Sequence, residues 1–359
     1  MLPEKMKGFA MLRIGEVGWI EKSLPEIGPL DALLKPIVVA PCTTDIKTVW
    51  KGALGERFDM ILGHECCAQV VKVGSLVKDF KPGDKVVVPA VTPNWSSPEA
   101  QCGCSSHSNG LLNGWRFSNY ADGVFSEYFM CNDADGNLAH IPAGVKPEEA
   151  VMLADMIPPG FQSVELADVQ FGDTVLVIGI GPVGLMAVAA AVMRGAGRVI
   201  AIGSRPQTIE LAKYYGATDV LNHKDGPLDE KIMSMTNGKG VDRICICGGT
   251  SDSYGLAVKS LKPGGKIASV ISLAMDEKIS ISSPEWGFGM ADKQIIGSAM
   301  TGGRLRMEKL GALLASGRLN VKPLITHTFS GWEQLESAIM MAKTKPEDFI
   351  KAVVLLDKD

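Results

Sequence analysis

Aromatic residues are scarce in this chain, at 6% of 359 residues, and histidine numbers only five. So thin an aromatic supply argues against a surface built to stack nucleic-acid bases. A basic excess is missing too: 36 Lys and Arg stand against 40 Asp and Glu, a formal charge of −4, with no long basic run. Nucleic acid and anionic membranes are therefore not expected partners. Eight cysteines fall far short of a disulfide scaffold. Reduced thiols are expected, with metal binding as the functional exception. The stretch Thr174–Met193 lacks charge over the length of a membrane span, but Gly179, Gly181, Pro182 and Gly184 interrupt it. It reads as a buried strand, a tight loop and a small-residue helix. The first residues carry Glu4, Lys5, Lys7 and Arg13 in place of an apolar leader, and a cytoplasmic location is expected. No internal repeat or low-complexity tract is visible.

What the chain does have is glycine, 40 residues of it, in a globular composition of 46% apolar and 21% charged residues. Its length exceeds one compact core and suits two domains. Up to about residue 155, short Val-rich runs alternate with Pro-Gly and Gly-Asp turns, as in Lys81-Pro-Gly-Asp-Lys-Val-Val-Val88. That pattern predicts a β-rich, barrel-like domain. From about 171 to 299, strand and helix alternate: strands at 174–180, 198–202, 218–222, 241–247 and 266–272, helices at 183–194 and 206–215. This predicts a doubly wound parallel sheet. Helices around Gly303–Ala315 and Trp332–Met341 and a strand at Ala352–Leu356 follow.

Gly179-Ile-Gly181-Pro182-Val183-Gly184 is a Gly-x-Gly-x-x-Gly loop directly after a strand and opening a helix. Gly179 permits the tight turn, Gly181 lets the backbone approach a pyrophosphate, and Gly184 lets the helix pack on the strand. The plain alternative is a buried glycine turn with no ligand. The next strand runs into Gly203-Ser204-Arg205 with no carboxylate at its tip. An acid there would accept from the ribose hydroxyl of NAD, whereas a small residue, a hydroxyl and a guanidinium suit a 2′-phosphate. The loop reads as a site for NADP, or else Arg205 is a solvated loop cation.

Cys42, His64 and Asp155 would give zinc three protein ligands and leave one position open. Spacing alone does not join residues so far apart, and a lone histidine beside glycine also serves as a structural residue.

Several stretches together carry a resemblance: Gly63-His64-Glu65, Val73-Gly74, Phe80-Lys-Pro-Gly-Asp84, the glycine loop, Gly203-Ser-Arg-Pro206 and Gly303-Arg-Leu-Arg-Met307. The chain resembles, end to end, the zinc-containing medium-chain alcohol dehydrogenases, and among them the bacterial NADP-dependent secondary-alcohol (isopropanol) enzymes. The resemblance implies an α/β protein with a GroES-like catalytic domain (1–156 and 300–359), a Rossmann coenzyme domain (157–299) and a homotetramer. It also implies one catalytic zinc held by Cys42, His64 and Asp155, with Glu65 a nearby or exchanging ligand and Asp45 orienting the histidine. Relatives with a second, structural zinc carry four closely spaced cysteines. This chain has only Cys102, Cys104 and His107 there, so no structural zinc is expected.

By the same resemblance zinc acts as Lewis acid on a ketone or secondary alcohol, and hydride passes to or from the nicotinamide. Thr44 would hydrogen-bond the substrate oxygen and begin the proton relay. Lys47 stands where relatives usually carry the next relay histidine. Ala90, Trp115 and Met156 match pocket positions of the small-alcohol enzymes. Ser272, Ala299 and Met300 fall where those enzymes tend to carry other, partly bulkier groups, and a pocket widened by Ser272 and Ala299 would admit larger, even steroid-sized, ketones. His223 and Lys345 are expected on the coenzyme side. Two other readings stay open: a zinc-free quinone or enone reductase on the same fold, and a non-catalytic coenzyme-binding protein.

Overall fold

The uncharged stretch Thr174–Met193 forms the strand Thr174–Ile178, a turn at the glycines, and the helix Pro182–Met193 in the computed structural model, which describes residues 2–274 and 276–356. The strand ends at Ile178 because Gly179 takes a left-handed φ of 87°. Pro182 occupies the first turn of the helix, where its missing N–H costs nothing.

The chain divides into two compact units, Met1–Pro158 with Thr301–Asp359, and Pro159–Met300. The second unit carries six parallel strands in the spatial order Asp219–Leu221, Arg198–Ile202, Thr174–Ile178, Val241–Ile246, Leu261–Ser269, Gln294–Gly297. The order reverses direction beside Thr174–Ile178, which makes the carboxyl end of that strand a switch point where ligands bind. Its core is built of Leu176, Ile178, Ile200, Ile244, Ile246 and Ile267 with Ala257 and Val258. Each fully buried Leu or Ile contributes roughly 1.5–3 kcal/mol.

Two elements there differ from expectation. The strand predicted at 266–272 begins at Leu261, because Val241 pairs with Leu261 and Arg243 with Lys266, so that Lys262–Gly265 bulges out of a continuing ladder. The helix Ile157–Leu166 was not anticipated; Pro158 and Pro159 sit in its first turn.

The first unit holds a seven-stranded sheet whose path includes Ile325–Ser330, Lys351–Leu355, Ala32–Val39, Cys66–Val73, Lys85–Val88 and Ala139–His140, with Phe129–Cys131 also paired to Ala32–Val39. A separate three-stranded sheet contains Glu16–Ser23, Lys5–Arg13 and Met60–Ile61. Phe9, Phe117, Phe125 and Phe129 anchor the core of this unit. The helix expected at Trp332–Met341 is a 3-10 turn, Trp332–Gln334, followed by the helix Leu335–Thr344.

Candidate metal centre and dinucleotide loop

The strand Ala32–Val39 leads through Ala40-Pro41 to Cys42, which caps the helix Thr43–Lys51 in extended conformation. Asp45, third in that helix and buried, accepts the Cys42 N–H at 2.9 Å through Oδ2 and the Gly63 N–H at 3.2 Å through Oδ1. One carboxylate thus ties together the two segments that bear Cys42 and His64. Gly63 is left-handed, with φ 86°, and a Cβ on it would enter the ring of Phe125. Only glycine turns the chain there, and the turn delivers His64 and Glu65 just before the strand Cys66–Val73. Asp155 follows the turn Val151–Leu153.

These segments converge. Asp155 Oδ2 lies 3.6 Å from Cys42 Sγ and 3.7 Å from His64 Nε2. Zinc bonds of 2.0–2.3 Å in tetrahedral geometry set donor atoms about 3.3–3.8 Å apart. The spacing therefore fits one such ion between the three side chains. Asp45 Oδ1 stands 3.4 Å from His64 Nδ1, long for a hydrogen bond but close enough to favour a proton on that nitrogen and leave Nε2 as the ligand atom. A carboxylate oxygen of Glu65 completes a group whose donor atoms all lie within 4.8 Å of one another. Among the described residues this is the one such group of His, Cys and acidic side chains.

Burial pushes the Cys42 thiol up, and the charges of Glu65 and Asp155 add to it. At His64 burial acts to lower the pKa, but the Asp45 charge and further contacts carry it well above the usual range. Burial would also raise Asp155, yet its contacts with His64 and the Lys351 charge hold it low. Glu65 is pushed up to about 7 by burial, against the pull of Lys351. These are the marks of buried donors with opposing proton affinities, the setting in which a divalent cation displaces protons.

Lys351 is a buried neighbour of this group that sequence reasoning missed. It is 3% exposed, and its Nζ donates to Glu65 Oε1 at 2.7 Å and to the Pro41 carbonyl at 3.0 Å. The final strand was expected from Ala352, and Lys351 opens it instead. A lysine adjoining a run as apolar as Ala352-Val-Val-Leu355 was the available signal.

The other expected residues take these places. Thr44 Oγ1 is 3.6 Å from Cys42 Sγ, and Lys47 lies one turn further along the same helix, half-buried. Trp115 packs edge-on against His64 at 6.0 Å between ring centroids. The Ala90 N–H donates to the Ala154 carbonyl at 2.9 Å, which fixes Ala90 beside Asp155; Met156 is buried next to it in sequence. Cys102 and Cys104 are exposed, with Cys102 Sγ 2.9 Å from the Pro98 carbonyl, and His107 Nδ1 accepts the Leu112 N–H at 3.1 Å.

In the second unit, a Cβ at Gly179 would meet the Gly248 backbone and one at Gly184 would meet the Gly179 carbonyl, whereas at Gly181 it meets nothing within 4 Å. Gly181 caps the helix with Pro182 and Val183 in its first turn. Two glycines close the turn and the third leaves its backbone approachable, which fits a pyrophosphate at the helix N-terminus. Gly203 and Ser204 are half-buried after the strand Arg198–Ile202, and Arg205, half-buried, caps the helix Pro206–Tyr214. His223 is exposed in the turn after Asp219–Leu221. Ser272 is exposed, Ala299 is half-buried with its carbonyl accepting from Gln162 at 2.9 Å, and Met300 is buried. Lys345, exposed and left-handed at φ 48°, caps the helix Leu335–Thr344 in the first unit.

Comparison with known proteins bears on both parts. The family described as alcohol dehydrogenase GroES-like domain matches residues 28–143, and that described as zinc-binding dehydrogenase matches residues 182–316. The NADP-dependent isopropanol dehydrogenase of Thermoanaerobacter brockii is 57% identical over 98% of this chain and 100% of its own. The enzyme of that name from Clostridium beijerinckii is 53% identical, again over 98% and 100%. Among solved structures, the alcohol dehydrogenase of Thermus sp. ATN1 superposes with a TM-score of 0.86 at 25% identity, covering 98% of this chain and 100% of that one. With two family matches and relatives this similar along nearly the whole of both chains, the protein belongs to the zinc-binding, GroES-like alcohol dehydrogenase family.

Proposed function

We propose that this protein is an NADP-dependent secondary-alcohol dehydrogenase that interconverts small ketones and secondary alcohols with one zinc per chain. The observation that carries the reading is the convergence of Cys42 Sγ, His64 Nε2 and Asp155 Oδ2 at zinc-ligand spacing. A quinone or enone reductase has no use for that donor set. Isopropanol dehydrogenases at 51–57% identity name the substrate class and the coenzyme of the relatives.

When bound, zinc supplies Lewis-acid polarisation of the substrate oxygen, and NADP supplies or accepts the hydride. The chain's own residues do the rest. Asp45 holds the His64 ring in the tautomer that offers Nε2. Thr44, with its hydroxyl 3.6 Å from Cys42 Sγ, moves the proton at the substrate oxygen, with Lys47 one turn away on the same helix face. Ala90, Trp115 and Met156 line the metal side with apolar surface that suits a short alkyl group and excludes water. Ser204 and Arg205 receive the 2′-phosphate, and the backbone at Gly181 with the first turn beyond it receives the pyrophosphate. A homotetramer in the cytoplasm completes the proposal, supported by the family likeness; no helix of the described residues is long and apolar enough to cross a membrane.

The test is NADPH oxidation with acetone, and NADP reduction with propan-2-ol, by zinc-loaded protein. Turnover in both directions supports the reading. Turnover with quinones but not with ketones overturns it.

A further inference from the structure

Gly203 stands at the tip of the strand Arg198–Ile202, where a small residue leaves room for a 2′-phosphate. The structure gives a second reason for glycine there. At Gly179 the backbone itself demands glycine, with a left-handed φ of 87° and the Gly248 backbone in the way of any Cβ. Gly203 is different. Its φ is not left-handed, so its backbone does not require glycine. What a Cβ at 203 would meet is the side chain of Ile180, with Cγ1 well inside contact distance and Cδ1 at 2.7 Å. Carbon atoms not bonded to each other settle at about 3.5–4.0 Å. Ile180 is also poorly placed to step aside. It is 3% exposed and lies between Gly179 and Gly181, and its branched Cβ leaves it few rotamers. The N–H groups of Gly179 and Ile180 both donate to the carbonyl of Ile202, at 3.1 and 3.2 Å, which ties the loop to the residue just before Gly203.

We propose that Ile180 is a specificity-determining residue for the coenzyme: its side chain fills the space that a side chain at 203 would need, and so shuts out the ribose-binding acid of an NAD site. Selection of NADP then has two parts. Ser204 and Arg205 attract the phosphate, and Ile180 excludes the carboxylate that would repel it. An acid at the strand tip would have to leave the backbone along the same Cα–Cβ bond that Ile180 blocks. Ile180 also belongs to the loop whose Gly181 backbone receives the pyrophosphate, so a side chain forced in at 203 displaces that loop as well. A change at 203 alone therefore weakens the binding of both coenzymes. Only a second change, at 180, turns the preference.

The inference rests on the NADP reading above, and the experiment separates the two. Coenzyme fluorescence gives the Kd of NADPH and of NADH for the parent, Gly203→Ala, Ile180→Ala, the double alanine variant, Gly203→Asp, and Gly203→Asp with Ile180→Ala. Alanine adds the Cβ and no charge. In the parent background Gly203→Ala is expected to weaken NADPH and NADH alike by at least about tenfold, because binding has to push the displaced loop back. In the Ile180→Ala background the same substitution costs less than about threefold, a coupling that two independent sites do not show. Gly203→Asp alone loses NADPH affinity and gains none for NADH. With Ile180→Ala beside it, the carboxylate reaches the ribose hydroxyls, and NADH affinity rises about 10- to 100-fold over Gly203→Asp, the range of a charge-assisted hydrogen bond. A merely structural isoleucine would lower the Tm of its variants and leave the ratio of the two affinities unmoved.

If Ile180→Ala does not fold, the two single changes at 203 carry the test. Parent-like NADPH affinity in Gly203→Ala, or NADH affinity in Gly203→Asp above the parent's, overturns the inference. So does a Gly203→Asp, Ile180→Ala variant that binds NADH no better than Gly203→Asp. A parent that binds NADH more tightly than NADPH overturns the NADP reading, and this inference falls with it.

Discussion

At the scale of single residues, the site depends on side chains that do one task each. Thr44 Oγ1 is the hydroxyl set beside the donor cluster, 3.6 Å from Cys42 Sγ. Thr44→Ala is expected to lower ketone reduction by roughly 10² or more, the range of a lost proton-transfer group. Coenzyme binding, followed by NADPH fluorescence, should stay at the parent value. A smaller loss for Lys47→Ala would assign the larger share of proton transfer to the threonine; a greater loss would move it to the lysine. Asp45 acts through His64 and through two backbone N–H groups. Asp45→Asn should therefore lower zinc affinity by about 10- to 100-fold, as removal of a ligand-orienting carboxylate does, read by competition with a chromogenic chelator. Arg205→Ala should reduce the preference for NADPH over NADH by about one to two decades in kcat/KM, since one charge-assisted contact contributes about 1.5–3 kcal/mol. A parent that prefers NADH would make Arg205 a surface cation.

At the scale of elements, the parallel sheet has its own ion pairs, and one of them gives a pH signature. Asp242 accepts the Thr174 N–H at 2.7 Å and pairs with Lys262. Burial acts to raise its pKa, but those contacts hold it below the usual carboxylate value. A carboxylate with a depressed folded-state pKa contributes stability above its unfolded value of about 3.9, and that stability is lost as pH falls through the lower, folded value. Asp242→Asn should thus cost about 1.5–3 kcal/mol at neutral pH, the range for a contact with a charged group. The Tm gap between variant and parent should shrink as the pH drops below about 4. A gap independent of pH would remove the charge from the account. The elements were largely legible beforehand: Thr174–Ile178, Pro182–Met193, Arg198–Ile202 and Pro206–Tyr214 lie within two residues of where periodicity put them. Leu261–Ser269 was cut short because Pro263-Gly-Gly265 looks like a strand's end but forms a bulge inside one. Ile157–Leu166 went unseen because two prolines that break helix interiors are welcome in a first turn.

At the scale of the whole molecule, the metal centre belongs to the first compact unit and the glycine loop to the second. The loop could be read from the chain because its residues are contiguous and each glycine has a local geometric duty. The metal donors are scattered along the chain, and spacing alone could not unite them; the family resemblance suggested them, and the fold brings them to within bonding reach of one ion. Lys351 remained hidden because its partner Glu65 is distant in sequence, and nothing local announces that a lysine beside a β-strand is paired inside the protein. The most direct test of the central claim is the titration of metal-stripped protein with zinc, following NADPH oxidation by acetone. The account predicts no turnover at zero zinc and a linear rise to a plateau at one zinc per chain, as expected for a single open three-ligand site. Full turnover without zinc, or a plateau only at two per chain, would contradict it.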